Sequence, residues 1–258
     1  MKVAFWSDFR KEGGVTGTLA AVSAVCALQY HKDIAINSNH LSDHSIQDCF
    51  GKTPFSEKKE RAQYCYCYGE PEYFRMLWEG CRPVKPPKIK CQLMEGLYLL
   101  YPPDLLEPSL FRETVPKEML SFLDVTAEHH SATSQALEEA DIVAVFLPQN
   151  MAAIRIFFER YSSLIPKSIF FISNYRRSYK RKAGCSPAQF VRNFSIESHR
   201  VGTIPHNEDF AEAYEEGKME HFIRDNLSCT PKNRNYSFMH QLFAAAEMIL
   251  RSKEGEAH

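Results

Sequence analysis

A glycine-containing loop near the start of the chain has the residue types of an anion-binding site. Residues 7–18 read Ser-Asp-Phe-Arg-Lys-Glu-Gly-Gly-Val-Thr-Gly-Thr and follow the apolar run Val3-Ala4-Phe5-Trp6. Glycines permit a tight turn whose backbone amides point at an anion, and a following helix adds the positive end of its dipole. Such a loop often only turns the chain, but its place between the first strand and the first helix favours phosphate binding.

Two further residues could complete this site with a metal ion. Thr18 lies at the start of the predicted helix, where a hydroxyl is a ligand that Mg²⁺ accepts. Asp124 lies near the end of the apolar segment Leu120–Val125, and parallel strands bring their carboxyl ends to one edge of a sheet. We therefore predict that Thr18 and Asp124 hold a metal ion. The alternative for Asp124 is a role in a turn or helix cap before Thr126.

The elements that position these residues alternate between short apolar runs and amphipathic stretches. This alternation predicts an α/β fold in three layers, with a mainly parallel sheet flanked by helices in a single domain over residues 1–258. The predicted strands cover residues 3–6, 33–36, 96–101, 120–125, 142–147, 168–173 and 200–203. The predicted helices cover residues 18–30, 72–79, 151–161, 209–216 and 237–251.

Composition argues against several classes of function. The chain carries 31 basic and 32 acidic side chains, so its bulk charge gives no reason to expect nucleic-acid or membrane binding. No run reaches the roughly 18 apolar residues of a membrane-spanning helix, and charged residues interrupt the N-terminus too early for a signal peptide. Cys65, Cys67, Cys81 and Cys91 lack the usual spacing of a zinc site. A soluble, cytoplasmic protein is expected.

The order of these motifs resembles the ParA/MinD family of deviant-Walker P-loop ATPases. Glu12-Gly13-Gly14-Val15-Thr16-Gly17-Thr18-Leu19 is similar to the family's loop, Lys-Gly-Gly-Val-Gly-Lys-Thr-Thr. The similarity continues at Phe122–Val125, which matches a Walker B strand, at Ala140–Val145, at Asn174, at Val201–Asn207, and at Glu212, Ala213 and Gly217. Each motif is short, but together they span nearly the whole chain and imply a P-loop NTPase-like fold.

The resemblance implies a nucleotide site and a cofactor. The implied nucleotide-binding residues are Gly13, Gly14, Val15, Thr16, Gly17 and Thr18 at the phosphates and Asn174 at the base. ATP with Mg²⁺ is the implied cofactor, with the ion held by Thr18 and Asp124, and a homodimer across the nucleotide face is the implied assembly. The family's roles in cell positioning, partitioning, septum placement and surface-appendage assembly imply a bacterial protein with a protein partner that the sequence does not identify.

Charged residues of the family pattern are replaced in this chain. Glu12 occupies the place of the signature lysine and Gly17 that of the phosphate-loop lysine, and those lysines neutralise charge on the β- and γ-phosphates. Asn37-Ser38-Asn39 stands where the family commonly has Asp-x-Asp, and asparagine cannot supply an anionic partner. We therefore predict a ParA/MinD-like protein with a degenerate Walker A motif that binds nucleotide weakly or does not hydrolyse it. Such a protein would act as a scaffold in cell positioning or assembly.

Two other functions stay open. Lys11 or Arg10 could reach the phosphates if the loop is read in a shifted register, which would make the chain an active, atypical ATPase. A basic run contains Arg176, Arg177, Lys180, Arg181 and Lys182, interleaved with two tyrosines. This run could bind nucleic acid, a membrane surface or an acidic protein, and a solvated loop is its simpler interpretation. Residues 41–87 contain no motif that we can interpret.

Overall fold

A sheet of eight strands forms the centre of the computed structural model, which describes residues 1–9, 14–38, 45–52, 90–100, 119–125, 130–176 and 185–252. The strands are β1 (Lys2–Trp6), β2 (Ile34–Ser38), β3 (Lys90–Met94), β4 (Leu97–Leu100), β5 (Leu120–Val125), β6 (Ile142–Pro148), β7 (Ser168–Tyr175) and β8 (Val201–Pro205). Their spatial order is β3-β4-β2-β5-β1-β6-β7-β8, and every neighbouring pair is parallel except β3 with β4. The predicted mainly parallel sheet is confirmed.

Helices cover both faces of this sheet, which confirms the predicted three layers. They are α1 (Val15–Tyr30), α2 (Ser45–Cys49), α3 (His130–Glu139), α4 (Met151–Arg160), α5 (Pro187–Phe194), α6 (Glu208–Glu215), α7 (Met219–Asn226) and α8 (Tyr236–Arg251), with 3₁₀ turns at Ser162–Lys167 and Ser198–Arg200. Helices α1, α2 and α6–α8 pack on one face, and α3–α5 pack on the other. None of the helices in the described ranges is long and apolar enough to cross a membrane.

Strand β1 separates the two halves of the core. Val3 and Phe5 face the cluster around α1, whereas Ala4 and Trp6 face the cluster around α3–α5, and each is at most 1% exposed. A parallel strand covered on both faces reads as a continuous apolar run, which is why this segment could be predicted. Because β5 and β6 pair with β1 on either side, the carboxyl ends of three neighbouring strands meet at one edge.

Helix α1 begins three residues earlier than the predicted start at Thr18. Gly14 precedes it with a left-handed φ of 54°, and the Thr18 N–H donates to the Gly14 carbonyl at 3.0 Å. Residues 15–17 therefore form the first helical turn and not a loop. Valine, threonine and glycine are weak helix formers, so tertiary contacts of this turn outweigh local propensity.

Other elements also differ from the predicted ones. Strand β2 continues to Ser38, which brings Asn37 into the sheet, and β3 forms an antiparallel pair with β4 that no sequence pattern indicated. Helix α5 was missed although Ser186 and Gln189 form a capping box around Pro187, which is a recognisable helix start. The predicted helix at 72–79 lies outside the described residues.

The C-terminal helices close over the start of α1. A Cβ atom at Gly17 would lie 3.4 Å from two ring carbons of Tyr214 and 3.7 Å from the ring of Phe210, both on α6. Asn207 caps α6 by accepting a hydrogen bond of 2.7 Å from the Phe210 N–H, and its own amide donates to Asn235 at 2.9 Å. These paired amides fix α6 to the start of α8, because buried polar groups are stable only when they are hydrogen-bonded.

Two glycines are in backbone contact where α2 meets the turn after α6. Gly51 has a φ of 62° and Gly217 a φ of 71°. A Cβ atom on Gly217 would lie 2.7 Å from the carbonyl oxygen of Asp48 and 3.0 Å from the Gly51 Cα. Position 217 therefore needs glycine for space as well as for its left-handed conformation.

We expect Gly217→Ala to lower the free energy of unfolding by about 2–4 kcal/mol, because left-handed strain and the backbone clash add together. The matched control is Gly14→Ala, because Gly14 also has a positive φ but a Cβ atom there would meet nothing within 4 Å. That control should cost only about 1 kcal/mol. Urea denaturation of both variants measures the difference, and equal costs would show that the close backbone contact does not matter.

Candidate functional site

A hydrogen bond joins the first turn of α1 to the end of β5. Thr16 Oγ1 donates to Asp124 Oδ2 over 2.7 Å. Asp124 lies opposite Phe5 of β1 and Ser38 of β2 in the parallel ladders, so it stands at the carboxyl edge between two strands. Its exposure is 1%. A carboxylate this buried depends on donors or cations around it, and a hydroxyl donor at 2.7 Å supplies a strong one.

The backbone at the start of α1 faces this edge. Gly14 provides the N-cap, and Val15 occupies the first helical position, partly buried against the core. The N–H groups of Val15, Thr16 and Gly17 belong to the first turn, where an α-helix offers no intrahelical acceptor. Together with the helix dipole they make this end electropositive, which suits an anion.

The two predicted metal-site residues lie near the start of α1 and near the end of β5. Thr18 is 3% exposed and lies one helical turn beyond Gly14. Among the described hydrogen bonds of Asp124, the hydroxyl donor is Thr16, two residues before Thr18. The pairing of Thr18 with Asp124 stays a prediction, as does the role of Gly13, which lies outside the described residues.

The two asparagines that the sequence singled out have different surroundings. Asn37 is 3% exposed, and its Nδ2 donates to Ser121 Oγ at 3.5 Å inside the sheet. Asn174 lies near the end of β7, is exposed, and has a left-handed φ of 49°. Only Asn174 is therefore exposed at the strand ends where a base would bind, and its contact with a base stays a prediction.

The end of β7 is fixed by a side-chain amide. Gln149 Oε1 accepts from the Arg176 N–H at 3.0 Å, and Gln149 Nε2 donates to the Arg176 carbonyl at 3.3 Å. Gln149 lies just before α4, so it ties the start of the basic run to that helix. Arg177, Lys180, Arg181 and Lys182 lie outside the described residues.

Sequence reasoning missed a cluster at the end of β1. The Asp8 carboxylate accepts a hydrogen bond of 2.7 Å from the Tyr161 hydroxyl and one of 3.1 Å from Arg160. Burial raises the pKa of Tyr161, and the hydrogen bond to Asp8 raises it further, so the phenol stays protonated and donates. The available signal was Asp8 itself, a carboxylate inside the predicted anion-binding loop. Its partners are 152 and 153 residues away, too far for sequence spacing to indicate them.

The Trp6 indole lies beside this cluster. Its ring packs edge-on against the Tyr161 ring, with centroids 4.8 Å apart. Within the described residues, Trp6 Nε1 is a buried side-chain nitrogen without a hydrogen-bond partner. An unpaired buried donor costs about 1–3 kcal/mol, so this nitrogen lowers the stability of the fold at the end of β1.

The described part of the chain contains no group of three or more His, Cys, Asp or Glu side chains that could hold a metal ion. Cys26, Cys49, Cys185 and Cys229 are free thiols. Burial raises the pKa of Cys26 to about 12 and that of Cys185 to about 11, so both are protonated and poor metal ligands at neutral pH. The cysteines Cys65, Cys67 and Cys81 lie outside the described residues.

Comparison with known proteins gives matches by structure alone. No protein-family model matches the chain, and no curated protein matches its sequence. The septum site-determining protein MinD complexed with Mg-ADP from Pyrococcus horikoshii OT3 is 11% identical, covers 96% of this chain and 95% of its own, and has a TM-score of 0.66. A chain of the MinC:MinD cell division complex of Aquifex aeolicus is 14% identical, with coverage of 96% and 95% and a TM-score of 0.65.

A third structure extends the similarity beyond MinD. The ParA-family ATPase from Chlorobium tepidum TLS is 10% identical, covers 95% of this chain and 98% of its own, and has a TM-score of 0.60. The chain therefore has the fold of the P-loop ATPases of the ParA/MinD type. Its eight-stranded, mainly parallel sheet flanked by helices is the ParA/MinD-like architecture, and identities this low establish the fold alone.

We expect Thr16→Val to lower the free energy of unfolding by about 1.5–3 kcal/mol, because it removes a hydrogen bond to a buried charged group. When Asp124 is already asparagine, Thr16→Val should lower the free energy of unfolding by at least about 1 kcal/mol less than it does in the wild type. This difference is the coupling energy of a double-mutant cycle.

The matched control is Thr203→Val, because Thr203 donates to the neutral amide of Gln241 at 3.0 Å. It should cost only about 0.5–1.5 kcal/mol. Additive effects of the Thr16 and Asp124 substitutions would contradict the contact.

Proposed function

We propose that this chain is a ParA/MinD-like protein that binds nucleotide with Mg²⁺ weakly or without hydrolysing it, and that acts as a scaffold in cell positioning or assembly. The observation that carries the proposal is the hydrogen bond between Thr16 and Asp124 at the carboxyl edge of the sheet. In parallel sheets ligands bind at this edge, next to a helix N-terminus. A hydroxyl and a carboxylate in contact are a pair that Mg²⁺ can link to a phosphate.

The same hydrogen bond favours a shifted reading of the loop. If Thr16 takes the place of the metal-site threonine, Arg10–Thr16 aligns with the family pattern Lys-Gly-Gly-Val-Gly-Lys-Thr. Val15 then stands where the family has the phosphate-loop lysine, and Arg10 stands at the signature lysine. In either register the phosphate-loop lysine is replaced by a residue without charge, Val15 or Gly17.

The described residues fit a phosphate and a metal ion incompletely. The amides at the start of α1 would contact phosphate oxygens, and Thr16 with Asp124 would hold the ion, which neutralises phosphate charge when it is bound. The missing lysine is an electrostatic group of the kind whose removal lowers the rate of catalysis by about 10²–10³-fold. Binding with little turnover is therefore the expected behaviour.

The structural neighbours support the remaining parts of the proposal. Likeness to a MinD structure that contains Mg-ADP supports a nucleotide with Mg²⁺ as the cofactor. We propose Gly13, Gly14 and Asn174 among the residues that would contact the nucleotide. Likeness to a chain of the MinC:MinD complex supports a protein partner, in addition to a homodimer at the nucleotide face. The free thiols of the described part are typical of a reducing compartment, which supports a cytoplasmic location.

We expect Val15→Lys to bind Mg-ATP about ten- to a hundredfold more tightly than the wild type, because Val15 is only partly buried and a lysine stem can keep its packing while the ammonium contacts phosphate. Gly17→Lys should bring no such gain. A Cβ atom at Gly17 would lie 3.4 Å from the Tyr214 ring, so the lysine would start against α6 and not toward the sheet edge. Titration calorimetry of the wild type and both variants measures the affinities.

The titration distinguishes the two alignments of the loop, with Thr16 or with Thr18 as the metal-site residue. A gain in Gly17→Lys but not in Val15→Lys would contradict the shifted reading and restore Thr18 as the metal-site residue. Tight binding and turnover by the wild type, lost in Asp124→Ala, would favour an active ATPase in which Arg10 or Lys11 supplies the charge. No binding by any of the three proteins would reject the nucleotide-binding function.

Nucleic-acid binding through the basic run is the other candidate function, and one observation favours it. Gln149 makes two hydrogen bonds with the backbone of Arg176, so the chain has a defined position at the end of β7, where the basic run begins. We expect DNA binding, measured by fluorescence anisotropy, to weaken steeply with salt and to disappear when Arg176, Arg177, Lys180, Arg181 and Lys182 are all changed to glutamine. The same number of glutamines at exposed cations elsewhere is the control. An equal loss in that control would rule out a specific role for the run.

A further inference from the structure

The chain is held at two points immediately after β1. Ser7 Oγ donates to the Phe146 carbonyl of β6 at 2.7 Å and accepts the Phe9 N–H at 3.2 Å. Asp8 then uses one carboxylate oxygen for Tyr161 and the other for Arg160. The first loop is thus attached to the end of α4 before it continues toward α1.

The contact with Tyr161 is the stronger of the two. Its oxygen–oxygen distance is 2.7 Å, and the Tyr161 ring is packed against Trp6 and Phe157 with centroids 4.8 Å and 5.3 Å away. Arg160 is 60% exposed, whereas the Asp8 side chain is 18% exposed. Exposed ion pairs contribute little, and short hydrogen bonds from a hydroxyl to a carboxylate contribute more.

The described ends of the loop lie on opposite faces of the sheet. Phe9 packs against the cluster around α3–α5, whereas Val15 packs against the cluster around α1. One attachment point is set by Gly14 and α1, and the other is set by Asp8 with Tyr161.

We propose that Tyr161, assisted by Arg160, is a positioning residue for the nucleotide loop, because it holds Asp8 and so fixes the first end of the loop on the α4 side. This inference rests on the proposed function, since the loop at issue is the one that would bind the phosphates. Tyr161 does not contact the nucleotide in this scheme. It acts through Asp8, and its loss removes the hydrogen bond that holds Asp8 against the end of α4.

The variant Tyr161→Phe tests the positioning role directly. The substitution removes the hydroxyl but keeps the ring against Trp6 and changes no charge. A substitution of Asp8 would remove a negative charge near the phosphates, which favours anion binding and would mask the loss of positioning. The matched control is Tyr30→Phe, because Tyr30 at the other end of α1 donates to Glu247 at 3.2 Å, also a hydrogen bond from a tyrosine to a carboxylate.

Two measurements are made on the full chain. Calorimetry with Mg-ATP should give about tenfold weaker binding for Tyr161→Phe, less than about twofold for Arg160→Gln, and no change for Tyr30→Phe. Hydrogen exchange should be faster in the peptide covering residues 7–14 for Tyr161→Phe than for the wild type or Tyr30→Phe. Denaturation midpoints show whether the two phenylalanine variants lose similar stability.

Different results would overturn the positioning role of Tyr161 and the binding of nucleotide. Unchanged affinity and unchanged exchange in Tyr161→Phe, or equal losses in Tyr30→Phe, would overturn the positioning role while nucleotide binding stands. Absence of binding in the wild type would reject the nucleotide function. In that case faster exchange of residues 7–14 only in Tyr161→Phe would still support the attachment of the loop, and equal exchange in all variants would overturn it.

Discussion

The carboxyl end of β1 is held by short hydrogen bonds from both faces of the sheet. On one side, Thr16 at the start of α1 donates to Asp124 on the neighbouring strand β5. On the other, Tyr161 at the end of α4 donates to Asp8 just after β1. Each bond links a hydroxyl to a carboxylate, and both carboxylates are largely shielded from water. These two contacts hold the described residues on either side of the first loop, Asp8 before it and the first turn of α1 after it.

The chemistry of the site depends on how charge is distributed around these contacts. Asp124 keeps a carboxylate at the sheet edge with a hydroxyl beside it, which is a minimal ligand pair for Mg²⁺. The positive side chain that would face a phosphate is missing from the start of α1, where Val15 and Gly17 are uncharged. Metal binding and phosphate binding need different groups, so one can persist when the other is weakened. This separation is the physical basis of our proposal that the chain binds nucleotide without efficient turnover.

Packing of the C-terminal helices explains why glycine stands at position 17. The rings of Tyr214 and Phe210 lie against it, and α6 is fixed by the paired amides of Asn207 and Asn235. A Cβ atom there would be in van der Waals contact with these rings, so a longer side chain would have to fit beside them. The start of α1 is thus shaped by elements that follow it by about two hundred residues, and local sequence similarity gives no information about them.

The sequence alone determined the class of fold and the edge of the sheet at which to look. Continuous apolar runs at β1, β5, β6 and β7 are the mark of parallel strands buried on both faces, and parallel strands bring their ends together. The same reasoning selected Asp124 and the glycine loop. It also aligned Asn37 with an Asp-x-Asp motif. In the structure the Asn37 side chain donates a hydrogen bond to Ser121 within the sheet.

Only the tertiary structure decided which hydroxyl meets Asp124 and what holds the loop. A motif aligned by its glycines predicts Thr18 at the metal site, and that role stays a prediction. The observed hydrogen bond to Asp124 comes from Thr16, in the first turn of a helix that begins at Val15. A shift of two residues along a helix turns a side chain by about 200°, so the choice depends on where the first turn begins. That start is set by contacts with α6 and β5, which are distant in sequence. Tyr161 meets Asp8 for the same reason, because the sheet brings together residues that no local pattern connects.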